Sequence, residues 1–392
     1  MGSNDYFYDQ PSSIDRMQIR QARLRSEKVC IAELLELFSD EYQSPDQDLA
    51  LAVSEMVTTI QSKQAKGFNV ERLWVEYDLS GDAGANLLCL AEALLRIPDV
   101  DTRRRFIKDR IQALELSNGE MPSWFAEFSS FGLGLSKRLF SNLSGGWLSN
   151  ISTSMLDKVV MNFVSYMAQY FILAETFPLA LKQAVKSQQS HGYGFSFDML
   201  GEVAYTEADA ARYYGAYKEA LLMLVNEPSN LNKNGSGISI KLSAITTRFE
   251  FSKRSVVVPV LVEKVLELCL IAKQASLILI MDAEEADCLE LALDVLEQVY
   301  QSPDIGDFDG LGIAIQAYQK RASSVIDWLA KLASKHQKRL PCRLVKGAYW
   351  DTEIKHAQMH GLDDYDVFTR KSTTDLNYLA CVKSLKLNIE HI

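Results

Sequence analysis

Leu340-Pro-Cys-Arg-Leu-Val-Lys-Gly-Ala-Tyr-Trp-Asp351, followed by Thr352-Glu-Ile-Lys-His-Ala-Gln358, holds the pattern that decides the fold. Leu340, Leu344 and Val345 predict a buried strand, Gly347 allows close backbone approach in the turn after it, and Asp351 stands where a helix cap is expected, ahead of Glu353 in the first helical turn. Strand, loop and helix make one βα unit. A strand that runs out into Arg343, Lys346, Tyr349 and Trp350 gathers cations and aromatic faces at its carboxyl end, where α/β folds place ligand-binding groups.

Four more short apolar runs precede it, at Tyr193–Leu200, Gly237–Ser243, Leu277–Asp282 and Leu311–Tyr318, each separated from the next by a helical stretch. Five βα repeats predict a parallel sheet. The intervening helices carry apolar stripes such as Val258, Leu261, Val262, Val265 and Leu266, and Thr206 precedes Glu207-Ala-Asp209 as an N-cap should. An open doubly wound sheet and a barrel both fit this rhythm. Upstream, residues 1–50 predict a helical arm, with a helix candidate at Lys28–Phe38 and a breaker at Ser44-Pro45. Residues 51–182 repeat the three-and-four spacing of amphipathic helices, as in Leu87, Leu88, Leu90, Ala91, Leu94 and Leu95. Within them, Phe131-Gly-Leu-Gly-Leu-Ser-Lys137 lacks the third glycine and the preceding strand of a dinucleotide loop.

The chain of 392 residues has room for two or three units with large cores, and its balance of 47% hydrophobic to 23% charged residues excludes a disordered or fibrous class. A net charge of −10 repels phosphate backbones, so no nucleic-acid partner or DNA-binding domain is expected; the dense basic stretch Thr102–Arg110 reads as a solvated helix face. The six cysteines show no metal-type spacing, which suits reduced thiols in the cytoplasm. Val159–Leu173 is apolar but too short and too interrupted to span a bilayer, and reads as a buried helix.

Lys241 lies among apolar strand residues, and a buried ammonium needs an anionic neighbour: Asp282 or Glu202 as a structural ion pair, or a ligand. Asp282 and Glu284 follow the strand Ile278–Met281 two residues apart, which directs two carboxylates to one mouth, while Glu285 is placed to cap the next helix. Lys320 and Arg321 read equally as site groups or solvated helix residues. His356 and His360 are four apart on a helix but lack the glutamate and third ligand of a zinc motif, so no metal is expected.

Arg343-Leu-Val-Lys-Gly-Ala-Tyr-Trp-Asp351 closely resembles the fifth-strand motif of proline dehydrogenases of the proline utilization A family. Phe197-Asp-Met-Leu-Gly-Glu202, Ile238-Ser-Ile-Lys-Leu-Ser-Ala244, Met281-Asp-Ala-Glu-Glu285, Gln316-Ala-Tyr-Gln-Lys-Arg321 and Thr369-Arg-Lys371 resemble further blocks of that family in the same order, and Leu88–Asp99 extends the likeness upstream. The resemblance implies an α/β fold, a (βα)8 TIM-like barrel over 183–392 whose last strands are missing from this chain, after an all-α region. It implies FAD-dependent oxidation of L-proline to 1-pyrroline-5-carboxylate, with electrons passed to a membrane quinone. By resemblance Lys241 and Glu202 serve the substrate, Leu344 and Tyr349 pack on the proline ring, and Arg343 approaches flavin N5 with Asp282 beside it. Gln316 matches a contact to the flavin pyrimidine; Val345, Gly347, Ala348 and Trp350 match other flavin contacts, and Thr369 and Lys371 match contacts to the pyrophosphate and adenosine. The family pattern further implies a cytoplasmic homo-oligomer, peripheral to the inner face of the membrane, and a bifunctional whole with an aldehyde dehydrogenase half. That half and the later barrel segments have no counterpart here, so the alternative expectation is a fragment that serves only as a binding module.

Overall fold

The computed structural model describes residues 16–39, 47–62, 172–199, 203–227 and 235–390, with 97, 99, 101–102, 105–106, 231 and 392. Most of the predicted helical region, including Leu88–Asp99, Phe131–Lys137, Thr102–Arg110 and Val159–Leu173, lies largely outside them, and Glu202 lies wholly outside. The chain divides into two compact units, one made of 1–45 with 177–392 and the other of 46–176. In the second, α3 (Gln47–Ser62) is described.

The first unit begins with α1 (Met17–Gln21) and α2 (Glu27–Leu37) and resumes at α4 (Phe177–His191). Then β1 (Ser196–Asp198), α5 (Glu207–Val225), β2 (Gly237–Ile240), α6 (Arg254–Lys273), β3 (Ile278–Met281), α7 (Leu289–Gln301), β4 (Leu311–Gln316), α8 (Ala322–His336), β5 (Cys342–Val345), α9 (Trp350–Met359) and α10 (Lys371–Leu387) alternate. Each strand falls inside a predicted run. Thr206 caps α5 as expected, its Oγ1 accepting from the Asp209 amide at 3.1 Å. The last predicted cap is displaced: α9 starts at Trp350 behind Tyr349, so Asp351 lies in the first turn, where its charge favours the helix dipole.

The five strands are parallel and lie in sequence order, with Phe197 opposite Ile238, Ile240 opposite Met281, and Gln316 opposite Val345. A doubly wound sheet reverses its strand order at a switch point; this one does not. Five strands about 4.8 Å apart would hold the two outermost ones roughly 19 Å from each other if the sheet were flat, beyond any arginine's reach. Yet Arg343 on β5 donates to the Ser196 hydroxyl on β1. The sheet is therefore curled into part of a TIM-like barrel, and these two side chains meet across its concave face. β2 and β4 are buried along their whole length, and the apolar stripe of α6 (Val257, Val258, Leu261, Val265, Leu268) covers the outside.

The amino-terminal helices clasp this unit by charge. Arg16 has a fully buried side chain; its Nη1 donates to Asp294 at 2.7 Å and its Nη2 to Glu297 at 2.6 Å, both on α7, and its guanidinium lies 4.7 Å from the Trp328 ring centroid on α8. Arg23 pairs with Asp366 and Asp287, and the Lys320 ammonium donates to the Arg25 carbonyl at 2.8 Å.

Candidate active site

β1, β2, β3 and β5 each deliver one charged group to the concave face, Asp198, Lys241 and Asp282 at or just past the carboxyl ends of their strands and Arg343 from within β5. Arg343 Nη1 donates to Asp282 Oδ1 at 3.0 Å, Lys241 Nζ lies 3.2 Å from Asp282 Oδ2, and the same ammonium lies 3.3 Å from Asp198 Oδ1. Two cations and two carboxylates thus form a linked, formally neutral array. Its members differ in exposure: the Asp282 side chain is 13% accessible and the Asp198 side chain 45%. Burial opposes the charge of Lys241, but the carboxylates of Asp282 and Asp198 outweigh it and raise the ammonium above its ordinary range. Burial pushes the Asp282 carboxyl up, against the pull of Lys241. The Lys241 backbone amide donates to the Tyr217 hydroxyl at 3.2 Å, which fixes the end of β2 against α5.

The predicted pairing of Lys241 with Asp282 is present; Asp198, which the sequence reading passed over, is its second partner. Asp198 closes a three-residue strand, and an acidic residue there reads as an ordinary strand end.

Asp282 and Glu284 separate after β3. Glu284 turns inward, accepts the Ser243 amide at 3.1 Å and has its carboxyl raised by burial. Glu285 occupies a cap position without making a side-chain cap bond; the Ala286 amide goes instead to Glu353 on α9, at 2.7 Å. Gln316 is buried, donating to the Glu284 carbonyl at 2.8 Å and accepting the Ala348 amide at 3.2 Å, so it ties the loop after β3 to the loop after β5. Gly347 adopts φ +139° in that second loop, and a Cβ there would lie 2.4 Å from Cγ of Tyr318. No other residue fits this turn without moving the ring.

Leu344 and Val345 lie on β5 and Tyr349 precedes α9, while the Trp350 indole donates to the Phe368 carbonyl at 2.9 Å. Thr369 offers its amide and hydroxyl to the Glu27 carboxylate, the hydroxyl at 2.7 Å, and Lys371 pairs with Asp375 at 3.0 Å. The donors of Thr369 thus already converge on an anion. Lys320 and Arg321 are both buried and structural: Lys320 bonds Asp364 at 2.9 Å and Arg321 bonds Gln319 at 3.1 Å. His356 pairs with Asp287 at 3.2 Å, and no cluster of three or more metal-ligating side chains occurs among the described residues.

A parallel sheet in sequence order, curled about a charged array at the carboxyl ends of its strands, defines the first unit as a TIM-like barrel domain of the enzyme type. Residues 181–392 match the family described as proline dehydrogenase. The chain belongs to that family. It is 40% identical over 389 residues to the bifunctional protein PutA of Salmonella typhimurium and 38% identical to that of Escherichia coli, covering 96% of this chain and 29% of each relative. A crystal structure of a Bradyrhizobium japonicum proline utilization A mutant aligns at TM-score 0.63 and 35% identity, over 93% of this chain and 37% of that one. Proline utilization A from Bdellovibrio bacteriovorus, at 22% identity and TM-score 0.66, shares the fold. The chain spans less than a third of the length of these curated relatives.

Residues 69–175 match the family described as the DNA-binding domain of proline dehydrogenase, which overturns the expectation that no such domain is present. The expectation rested on a whole-chain charge of −10, an average that does not describe a local face, and the basic stretch Thr102–Arg110 lies inside the matched segment.

Proposed function

We propose that this chain carries the proline-oxidising part of a bifunctional enzyme, converting L-proline to 1-pyrroline-5-carboxylate with FAD as cofactor. The observation that carries the reading is the linked Lys241–Asp282–Arg343 array at the carboxyl ends of the strands, together with membership of the proline dehydrogenase family. Bound there, a flavin would supply the hydride acceptor for the ring carbon next to the proline nitrogen and a route for the electrons to a quinone.

The residues present suit that group. Arg343 supplies a fixed cation, held by Asp282 and Ser196, where negative charge develops. The Thr369 amide and hydroxyl form an anion-accepting pair, as their bonds to Glu27 illustrate, next to Lys371 at the start of α10. Gln316, Val345, Gly347, Ala348 and Trp350 would line the ring system; Gln316 would have to share or exchange its present bonds to Glu284 and Ala348. Lys241 anchors the proline carboxylate, and Leu344 and Tyr349 enclose the ring. A lysine whose proton is held by two carboxylates is unsuited to amine nucleophilic chemistry, which needs the neutral form.

No described helix is long and apolar enough to cross a membrane. Access to quinone by peripheral contact of a cytoplasmic protein is part of the proposal and rests on the family resemblance. The test is reduction of an artificial electron acceptor by the complete protein with L-proline. A yellow preparation whose flavin bleaches on addition of proline is expected; a colourless preparation, or one that proline leaves oxidised, refutes the proposal.

A further inference from the structure

Asp198 lies on the same face of β1 as Ser196, with Phe197 buried on the other. Asp282 is engaged by both Lys241 and Arg343 and is largely covered. Asp198 is different. Among the described residues Lys241 is its ion-pair partner, at 3.3 Å, and nearly half of its side chain remains accessible. Two residues before Lys241, and on the same face of β2 by strand alternation, Ser239 is fully buried with its hydroxyl unpartnered among the described residues. An unmet polar group is costly to bury, so this part of the concave face is built for polar company.

An α-amino acid presents a carboxylate and an ammonium on one carbon. Recognising both ends calls for a cation and an anion side by side, with the anion still open to the ligand. Lys241 and Asp198 are that pair. We propose that Asp198 is a substrate-recognition residue that holds the amine of the incoming amino acid while Lys241 holds its carboxylate. This rests on reading Lys241 as the carboxylate anchor. It makes the site selective for zwitterions over plain carboxylates, and it separates the two aspartates by role: Asp282 maintains the array, Asp198 contacts the substrate.

The experiment compares two ligands in the complete enzyme: L-proline, through KM, and its counterpart with an ether oxygen in place of the ring nitrogen, through Ki as a competitive inhibitor. Loss of a charge-assisted contact predicts that Asp198→Asn raises KM for proline by about ten- to a hundredfold, with Ki for the ether analogue unchanged or lowered. Asp198→Glu, which keeps the charge, should recover part of the proline affinity and guards against a folding artefact. Equal weakening of both ligands would make Asp198 a prop for Lys241, and unchanged KM would remove it from the site; either result overturns the proposal. A wild-type enzyme that binds neither ligand refutes the proline reading itself.

Discussion

Glu353 couples the two loops that shape the site, and its titration is measurable. It is 5% exposed; its Oε1 accepts the Ala286 amide at 2.7 Å and the Tyr318 hydroxyl at 3.4 Å, and its own amide bonds the Tyr349 carbonyl at 2.9 Å. Burial, reinforced by Asp366, Asp287 and Glu285, pushes its carboxyl from an ordinary 4.5 up to about 7, while the Ala286 amide pulls the other way. The neighbouring cations are committed elsewhere: Arg23 to Asp287 and Asp366, His356 to Asp287, and Arg321 to the Ala286 carbonyl. Because the folded value lies above the unfolded one, the native state holds an extra proton between about pH 4.5 and 7. The stabilising contribution is complete below 4.5 and disappears as pH rises through 7. At ~1.4 kcal/mol per pH unit, charging Glu353 costs the folded state about 3 kcal/mol by pH 8. Glu353→Gln keeps an acceptor for Ala286 and carries no charge. Denaturant unfolding of wild type and variant at pH 5, 6, 7 and 8 should show the variant gaining on wild type by about 2.5 kcal/mol across that range. A stability difference independent of pH refutes the argument, because a merely steric role for Glu353 carries no proton linkage.

Other perturbations separate the roles within the array and the arm. Arg343→Met should lower kcat by ~10² to 10³ and leave KM for proline comparatively unchanged, as expected when a preorganised cation acts on developing charge; stopped-flow flavin reduction measures it, and a pure KM effect reassigns Arg343 to substrate binding. Lys241→Ala should raise KM strongly and Lys241→Arg less so, with no borohydride-trapped adduct at Lys241; a covalent product mapped there overturns the anchor role. Arg16→Met removes a charged hydrogen-bond partner from Glu297 and one of the two guanidiniums at Asp294, where Arg254 remains, and should destabilise the barrel unit by about 1.5 to 3 kcal/mol in denaturant unfolding; a loss under about 1 kcal/mol means the arm is not clamped by this residue.

The strands were readable because strands buried on both faces leave short unbroken apolar runs, as in Leu311–Gln316, whose residues are all buried. The curl was not. Periodicity reports which residues are buried but not which strands are neighbours, and only strand order and the Arg343–Ser196 bond separate a barrel from an open sheet. The same limit hid half of the charged array. Lys241 and Asp282 announced themselves as polar residues in apolar strands, whereas Asp198 acquires meaning only from a lysine 43 positions away. Arg16 is the extreme case, a residue in a polar amino-terminal stretch that is buried by carboxylates 274 to 281 positions distant.

These hidden partners share a physical reason. A group that looks unsuitable for burial when read locally is made tolerable by a partner that only the fold brings near, and the cost of burying it alone is what enforces the pairing. In the array the pairing is uneven, since Asp282 serves two cations under cover while Asp198 serves one at the rim. An uneven array can admit a zwitterion by exchanging its outer contact and keeping its inner ones. A fully enclosed quartet would have to break buried ion pairs to do the same, at several kcal/mol each. The exposure difference between the two aspartates is therefore the feature through which this structure separates a binding role from a supporting one.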